Sequence, residues 1–326
     1  MIPKTASALA HPNIAFIKYW GNRDDALHLP SNGSLSMCLD GLTTRTQVTF
    51  DPALTADTLT LNGTSIQGAG LNRAQAFLDH VRKMAGKNIY AQVESANNFP
   101  SGVGIASSAS GFAALALAAT HALGLQLSEK ELSRLARLGS GSACRSIPRG
   151  FVEWQVGDTD ADSFAFSIAP PEHWHLADCI AIIDTAHKAI GSAEGMAHAH
   201  TSPLQAGRLA TTPERLARCR QAILTRDFEA FTAVLELDSA LMHEVMRTST
   251  PSMVYMQPLT SAILAQVKAW RAQGHAVCAT VDAGPNVHVI CLAEEQDAVT
   301  NKLHELPGVI DVLGAKPGGA AHLIPA

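Results

Sequence analysis

The sequence predicts an α+β fold in two lobes, and three observations carry that prediction. Strand-like and helix-like stretches interleave along the 326 residues, without repeats or low-complexity tracts. An Asn62-Gly63 step between short alternating stretches signals a tight hairpin. Near residue 185 the pattern shifts from strands to helices, which sets lobes at 1–185 and 186–326. The cleft between two such lobes is the natural place for a site.

Taken in order, residues 13–20 read as a buried strand with a turn at Gly21. Residues 44–50 and 57–62 alternate as strands. Leu71, Ala74, Phe77, Leu78 and Val81 lie at helical spacing and predict a helix over 71–86. A strand at 89–95 leads to a loop at 97–104 and a helix over about 105–123, Ala-rich and too short to span a bilayer. Ser128 with Glu131 three residues on is a capping box, opening a helix over 128–138. A Gly/Ser loop from 139 runs into a strand at Gly150–Trp154, and a long strand follows at 178–184. The second half reads as helices at 190–199, 213–224, 227–247 and 259–273. Strands return at 276–282, 286–292 and 308–313.

Apolar residues make up 47% of the chain and charged residues 16%, so a substantial core is available. A net charge of −5 leaves no basic footprint for nucleic acid. Local basic clusters would still suit a small anionic substrate. The six cysteines are scattered, with no Cys-x-x-Cys pair. That argues against zinc and a disulfide framework and fits a reducing cytoplasm. The N-terminus lacks the apolar core of a signal peptide, and no membrane helix is needed. His173/His175 and His198/His200 have no acid or cysteine at ligand spacing. Glu236, Asp238 and Glu244 read as the solvated face of a helix, and so do Arg134 and Arg137.

Four segments carry chemistry. In Asn98-Phe-Pro-Ser-Gly-Val-Gly-Ile-Ala-Ser-Ser108, Gly102 and Gly104 let the backbone curl its N–H groups toward an anion. The helix that follows aims its positive end at the same point. Ser101, Ser107 and Ser108 add hydroxyl donors. An ordinary capped helix start would carry the same residues, and the lysine of a Gly-Lys-Ser/Thr loop is absent. In Asn13-Ile-Ala-Phe-Ile-Lys-Tyr-Trp-Gly21, Lys18 shares a strand face with Ile14 and Phe16. That is costly unless it meets an anion or the strand ends in a cleft; a snorkelling edge lysine is the alternative. Gly139-Ser-Gly-Ser-Ala-Cys-Arg-Ser146 is either a flexible loop or a carboxylate cradle, since an arginine grips carboxylate through a two-bond fork. In Thr280-Val-Asp-Ala-Gly-Pro-Asn286, Asp282 ends a strand at a turn, either as a turn former or facing a cleft mouth.

The string Pro100-Ser-Gly-Val-Gly-Ile-Ala-Ser-Ser-Ala109 resembles the phosphate loop of the small-molecule kinase superfamily of galactokinase, homoserine kinase and mevalonate kinase. With Asn-Asn-Phe before it and Ser-Gly-Phe-Ala-Ala-Leu after it, it looks like the diphosphomevalonate decarboxylase family. The other three segments match that family too, so the resemblance spans positions 13 to 286. It implies a ribosomal protein S5 domain 2-like N-terminal lobe and a ferredoxin-like C-terminal lobe. It implies a homodimer, with ATP and Mg²⁺ as cofactors and a 5-phosphorylated mevalonate as substrate. Hydroxide is a poor leaving group, so the family first phosphorylates the substrate's C3 oxygen, and loss of phosphate with carbon dioxide then forms the alkene. By resemblance, Asp282 and Lys18 are catalytic, and Ser101, Gly102, Gly104, Ala106, Ser107 and Ser108 bind ATP. Arg145 holds the substrate carboxylate, with Ser140 and Ser142 beside the substrate and Tyr19, Trp20, Asn22 and Ser192 completing its site.

Two positions depart from the family. Asn22 stands where a lysine is usual, and Ala193 where bacterial members carry arginine; by resemblance both contact the 5-diphosphate. Fewer cationic donors suit a shorter, less charged group. The departures therefore favour mevalonate 5-phosphate over the 5-diphosphate, unless His187, Lys188 or Arg23 restores the charge. A kinase that stops at the 3-phosphate is disfavoured by the Lys18 and Asp282 pair, and a non-catalytic binding relative by the intact set of motif residues.

Overall fold

The computed structural model describes residues 4–100, 107–186 and 190–325. The chain opens with β1 (Lys4–Ala10) and β2 (Asn13–Ile17), then a small hairpin, β3 (Asn22–Asp24) and β4 (Leu29–Pro30). β5 (Ser34–Asp40) and β6 (Thr44–Phe50) precede the hairpin β7 (Thr58–Leu61) and β8 (Thr64–Ile66). That hairpin turns at Asn62 and Gly63 with φ of 50° and 78°, as the dipeptide dictates. Next come α1 (Ala69–Ala85), β9 (Ala91–Asn97), α2 (Ser107–Ala122) and α3 (Glu129–Gly139). Ser128 and Glu131 form the expected reciprocal cap on α3. A 3₁₀ turn (Gly141–Ser146) leads into β10 (Phe151–Trp154), β11 (Ala165–Ala169) and β12 (Leu176–Ile182). Then follow the helices α4 (Ser192–Ala197), α5 (Gln205–Thr225), α6 (Phe228–Thr248) and α7 (Pro258–Ala272). β13 (Val277–Val281), β14 (Val287–Leu292), α8 (Gln296–His304), β15 (Asp311–Pro317) and β16 (His322–Ile324) complete the order.

Two large sheets result. One runs β16-β1-β6-β9-β7-β8, and the other β11-β10-β5-β15-β12-β14-β13 with β2 also on β5. α2 is nearly all alanine on its buried faces, which lets it lie close against the first sheet beside Phe77, Leu78 and Val81 of α1. α5 and α6 cover one face of the second sheet through Ile223, Phe231 and Leu235, packed on Phe16, Met37, Ile180 and Ile290. α7 and α8 cover the opposite face at β12–β14. The lobes are stitched by chain returns. β12 pairs with β14 and β15 from beyond residue 185, β15 reaches β5 at Lys316↔Asp40, and β16 closes against β1.

The structure departs from the sequence expectations at several points. α5 begins at Gln205, not at 213, with Pro213 inside it. Pro213 has no N–H for Leu209 O, and at the carbonyl just before it, Arg208 O, Thr212 Oγ1 and Arg215 Nη2 donate at 2.8 and 3.1 Å. β5 lies outside the expected elements, and its Ser34 and Ser36 are fully buried between neighbouring strands. β1, β11, β16 and α8 also lie outside the expected elements. Arg137 is not on an exposed face; its side chain is fully buried, gripping Leu27 O, Ser163 O and Asp160. Among the described residues no helix is long and apolar enough to cross a membrane, and all six cysteines are free and buried.

Candidate active site

The signature strand β2 ends at Ile17, with a register shift between Ala15 and Ile17. That shift breaks the simple alternation, so Lys18 leaves the strand rather than lying on the face of Ile14 and Phe16. Its side chain is 2% exposed and its Nζ donates to Asp282 Oδ1 at 2.5 Å. Asp282 follows the last residue of β13, and its carboxylate is 23% exposed, nearly all that the pair shows to solvent. Burial pushes the Asp282 carboxyl up, but Lys18, His288 and Arg145 together hold it below the ordinary value of 3.8. Asp282 is therefore a carboxylate at neutral pH.

Both residues line a cavity of about 600 Å³ that also gathers the other segments. Ser140 ends α3, and its Oγ lies 3.2 Å from Ser108 Oγ in the first turn of α2. Ser107, Ser108, Ser140 and Ser142 all face the cavity. Arg145 projects from the 3₁₀ turn and is 3% exposed. Its Nε donates to Asn13 Oδ1 at 3.2 Å and its Nη1 to Ser34 Oγ at 2.7 Å. Both partners are neutral, so its charge remains to be met by an anion in the cavity; among the described residues no carboxylate forms an ion pair with it. Burial lowers its pKa, yet a guanidinium still holds its proton.

Tyr19 packs edge-on to Trp154, and burial raises its pKa, so the neutral phenol donates to Asn22 Oδ1. Asn22 Nδ2 in turn donates to Asp25 Oδ1 at 3.0 Å. Gly141 is required beside the tyrosine, because a Cβ there would sit 2.5 Å from its oxygen. Ser192 and Ala193 open α4 on the cavity wall, with Trp20 beside them. The structure thus brings together Lys18, Tyr19, Trp20, Asn22, Ser107, Ser108, Ser140, Ser142, Arg145, Ser192 and Asp282. Ser101, Gly102, Gly104 and Ala106 lie outside the described residues, as do His187 and Lys188.

Several contributors have no motif to announce them. Arg73 of α1 is exposed on the cavity wall, stacked over Phe112 at 4.8 Å, with Nε donating to Gly139 O at 2.8 Å. His28 faces the same space, held at a φ of 47° with Nδ1 buried and unbonded. Arg23 does not face it, since its guanidinium reaches Gly157 O. Asp238 is not solvated. It is fully buried, accepts Arg215 Nε at 2.7 Å, and accepts the Lys18 backbone N–H at 2.6 Å. The signal was in the spacing, because Phe231, Val234, Leu235, Met242, Val245 and Met246 share one helix face with it. Glu236 bonds Arg271 at 2.8 Å, while Glu244 is exposed and bonds Arg247 at 2.7 Å.

Two family models match. The diphosphomevalonate decarboxylase-like N-terminal domain covers residues 10–165, and the mevalonate 5-diphosphate decarboxylase C-terminal domain covers 179–312. The chain belongs to the diphosphomevalonate decarboxylase family. It is 38% identical to the diphosphomevalonate decarboxylase mvd1 of Aspergillus fumigatus, over 93% of this chain and 80% of that protein. It is also 38% identical to the human diphosphomevalonate decarboxylase, over 86% of this chain and 75% of that one. Among solved structures, the mevalonate diphosphate decarboxylase from Enterococcus faecalis superposes with a TM-score of 0.93 at 38% identity, over the full length of both chains. The enzyme from Staphylococcus aureus gives the same TM-score and identity over 99% of each. The two-lobed α+β architecture is therefore that of this family. The described signature residues line one cavity.

Proposed function

We propose that this chain is an ATP-dependent carboxy-lyase that converts mevalonate 5-diphosphate to isopentenyl diphosphate, with release of ADP, phosphate and carbon dioxide. The observation that carries it is the Lys18–Asp282 pair at 2.5 Å, set in the same cavity as Arg145 and the start of α2. Arg145, with neutral partners only, takes the substrate carboxylate and holds the C1–C2 bond for cleavage. Asp282 orients the C3 hydroxyl and accepts its proton as the oxygen takes up the terminal phosphoryl group of ATP. Lys18 keeps Asp282 ionised and offsets charge at the transferring group. Departure of the C3 phosphate takes the electron pair of the C–O bond, and the pair from the C1–C2 bond becomes the alkene as carbon dioxide leaves.

ATP and Mg²⁺ fit this site. A related complex holds MVAPP, AMPPCP and magnesium. The hydroxyls of Ser107 and Ser108, at the positive end of α2, suit phosphate oxygens. Among the described residues no three His, Cys, Asp or Glu side chains could hold a bare ion, so Mg²⁺ would be held chiefly through the nucleotide's own phosphates, whose charge it neutralises. A cytoplasmic homodimer goes with this reading.

The 5-diphosphate replaces the monophosphate preference drawn from Asn22 and Ala193. The relatives and structures above are named for the diphosphate, and Arg73 brings a cation to the cavity that Asn22 and Ala193 also line. Turnover measured with each ester, by ADP release and carbon dioxide release together, tests it. The diphosphate should give the higher kcat/KM, and Arg73→Gln should narrow that gap about tenfold, the equivalent of one charge-assisted contact. A higher kcat/KM for the monophosphate would overturn the assignment.

A further inference from the structure

β13 is the edge strand of its sheet, and among the described residues no further strand covers its outer side. Side chains cover it instead. Arg271 Nη1 donates to Val277 O at 3.0 Å, Glu236 Oε1 accepts the Ala279 N–H at 3.3 Å, and Ser239 Oγ accepts the Val281 N–H at 3.1 Å. Val281 O is 3.3 Å from Ser239 Oγ and 3.2 Å from His243 Nε2. Burial lowers the His243 pKa to about 4, so at neutral pH the ring is uncharged and its Nε2–H donates to that carbonyl. Val281 is the residue before Asp282, so α6 holds the peptide from which the carboxylate projects.

The same turn of α6 holds the other partner. Asp238, next to Ser239, accepts the Lys18 N–H at 2.6 Å, and Arg215 Nε pins the carboxylate's second oxygen at 2.7 Å. Lys18 O is taken by Arg208 Nη2 at 2.6 Å and by Asn32 Nδ2 at 2.9 Å. Neither peptide group of Lys18 therefore depends on a neighbouring strand. Lys18 lies 264 residues from Asp282 in sequence, yet two successive turns of α6 grip the main chain at both.

We infer that Asp238, Ser239 and His243 are positioning residues for the phosphoryl-transfer step, two successive turns of α6 that set the separation of Lys18 and Asp282. The inference rests on the roles proposed above for that pair. The charged and titratable groups around Asp282 are Lys18 from the end of β2, Arg145 from the 3₁₀ turn, His288 from β14 and His243 from α6. Those behind Lys18 are Asp238, Arg208 and Arg215.

The experiment uses the full chain with ATP and mevalonate 5-diphosphate, and records kcat, KM and the pH dependence of kcat. Ser239→Ala and His243→Leu should lower kcat about 10- to 100-fold, the cost of a misplacement near 1 Å, with little change in KM. Their acid limb should move to higher pH, because Lys18 no longer holds Asp282 as closely. His243→Gln, whose Nε2–H reaches the same carbonyl, should restore both kcat and the limb toward wild type. Asp238→Asn should show the largest loss; because it unsettles a buried ion pair, the Ser239 and His243 variants carry the test. If they melt earlier but keep wild-type kcat and acid limb, α6 only covers a strand edge and the inference falls. Asp282→Asn separates the two ideas. If it is inactive while the α6 variants are silent, only the inference fails; if it keeps wild-type turnover, the catalytic pair fails and the inference with it.

Discussion

At the scale of single residues, the site is governed by how few charges are placed where water cannot reach them. Lys18 and Arg145 are buried beside the partly exposed Asp282, and both cations help hold its carboxyl ionised. Lys18→Met tests the balance. In the native protein the Asp282 carboxylate titrates below 3.8, so it contributes stability above that value and loses it as pH falls through the lowered pKa. Without the ammonium, the upward push of burial dominates and the carboxyl titrates above its ordinary value. The sign then reverses, with stability lost as pH rises through the new pKa. The acid limb of residual kcat should move to higher pH, and the melting temperature should fall relative to wild type as pH rises from acid toward neutral. A variant whose melting temperature keeps the wild-type pH dependence would contradict this account of Asp282. Lys18, Arg145 and Asp282 were legible in the sequence because each sits in a long, unusual motif. Arg73 and His28 were not, because each is one polar residue in an ordinary local pattern and meets the cavity only through packing.

At the scale of elements, local rules explain starts and turns better than they explain burial. The Ser128/Glu131 box and the Asn62-Gly63 turn form as their residue types require. Ser128→Ala should cost about 1 kcal/mol, read in urea denaturation, with kcat unchanged because α3 keeps its packing at Leu135 and Ala136. A loss well below that would mean the cap is redundant with tertiary contacts. α5 shows the limit of local reading. The expected start at 213 falls inside a continuous helix, whose earlier turns carry Arg208, bonded to Lys18 O, and Thr212, bonded to the Arg215 that grips Asp238. β5 shows it again, since its serines are bonded inside the fold: Ser34 receives Arg145, and Ser36 lies 3.5 Å from Val152 O.

At the scale of the whole molecule, chain returns hold the lobes around the cavity. β15 pairs with β5, the Gly318 N–H donates to Cys38 O at 2.9 Å, and β16 covers the edge of β1. Deleting residues 318–326 uncovers that edge and removes the Gly318 O that receives the Gly150 N–H at 2.8 Å. The truncated chain should unfold at lower urea and aggregate at concentrations where the full chain does not, read by light scattering. Unchanged stability would mean that the remaining pairing between lobes suffices. By itself the sequence determined the secondary-structure class, the family, and the four segments that carry the chemistry. These follow from local periodicity and from motifs whose residues act through their own side chains. Only the tertiary structure decided that Asp238 is buried, that α6 grips the main chain at both Lys18 and Val281, and that Arg73 lines the same cavity as Asn22 and Ala193. Each depends on residues far apart in sequence meeting in space, and the free energy of a buried charge is set by those neighbours rather than by the residue's own type.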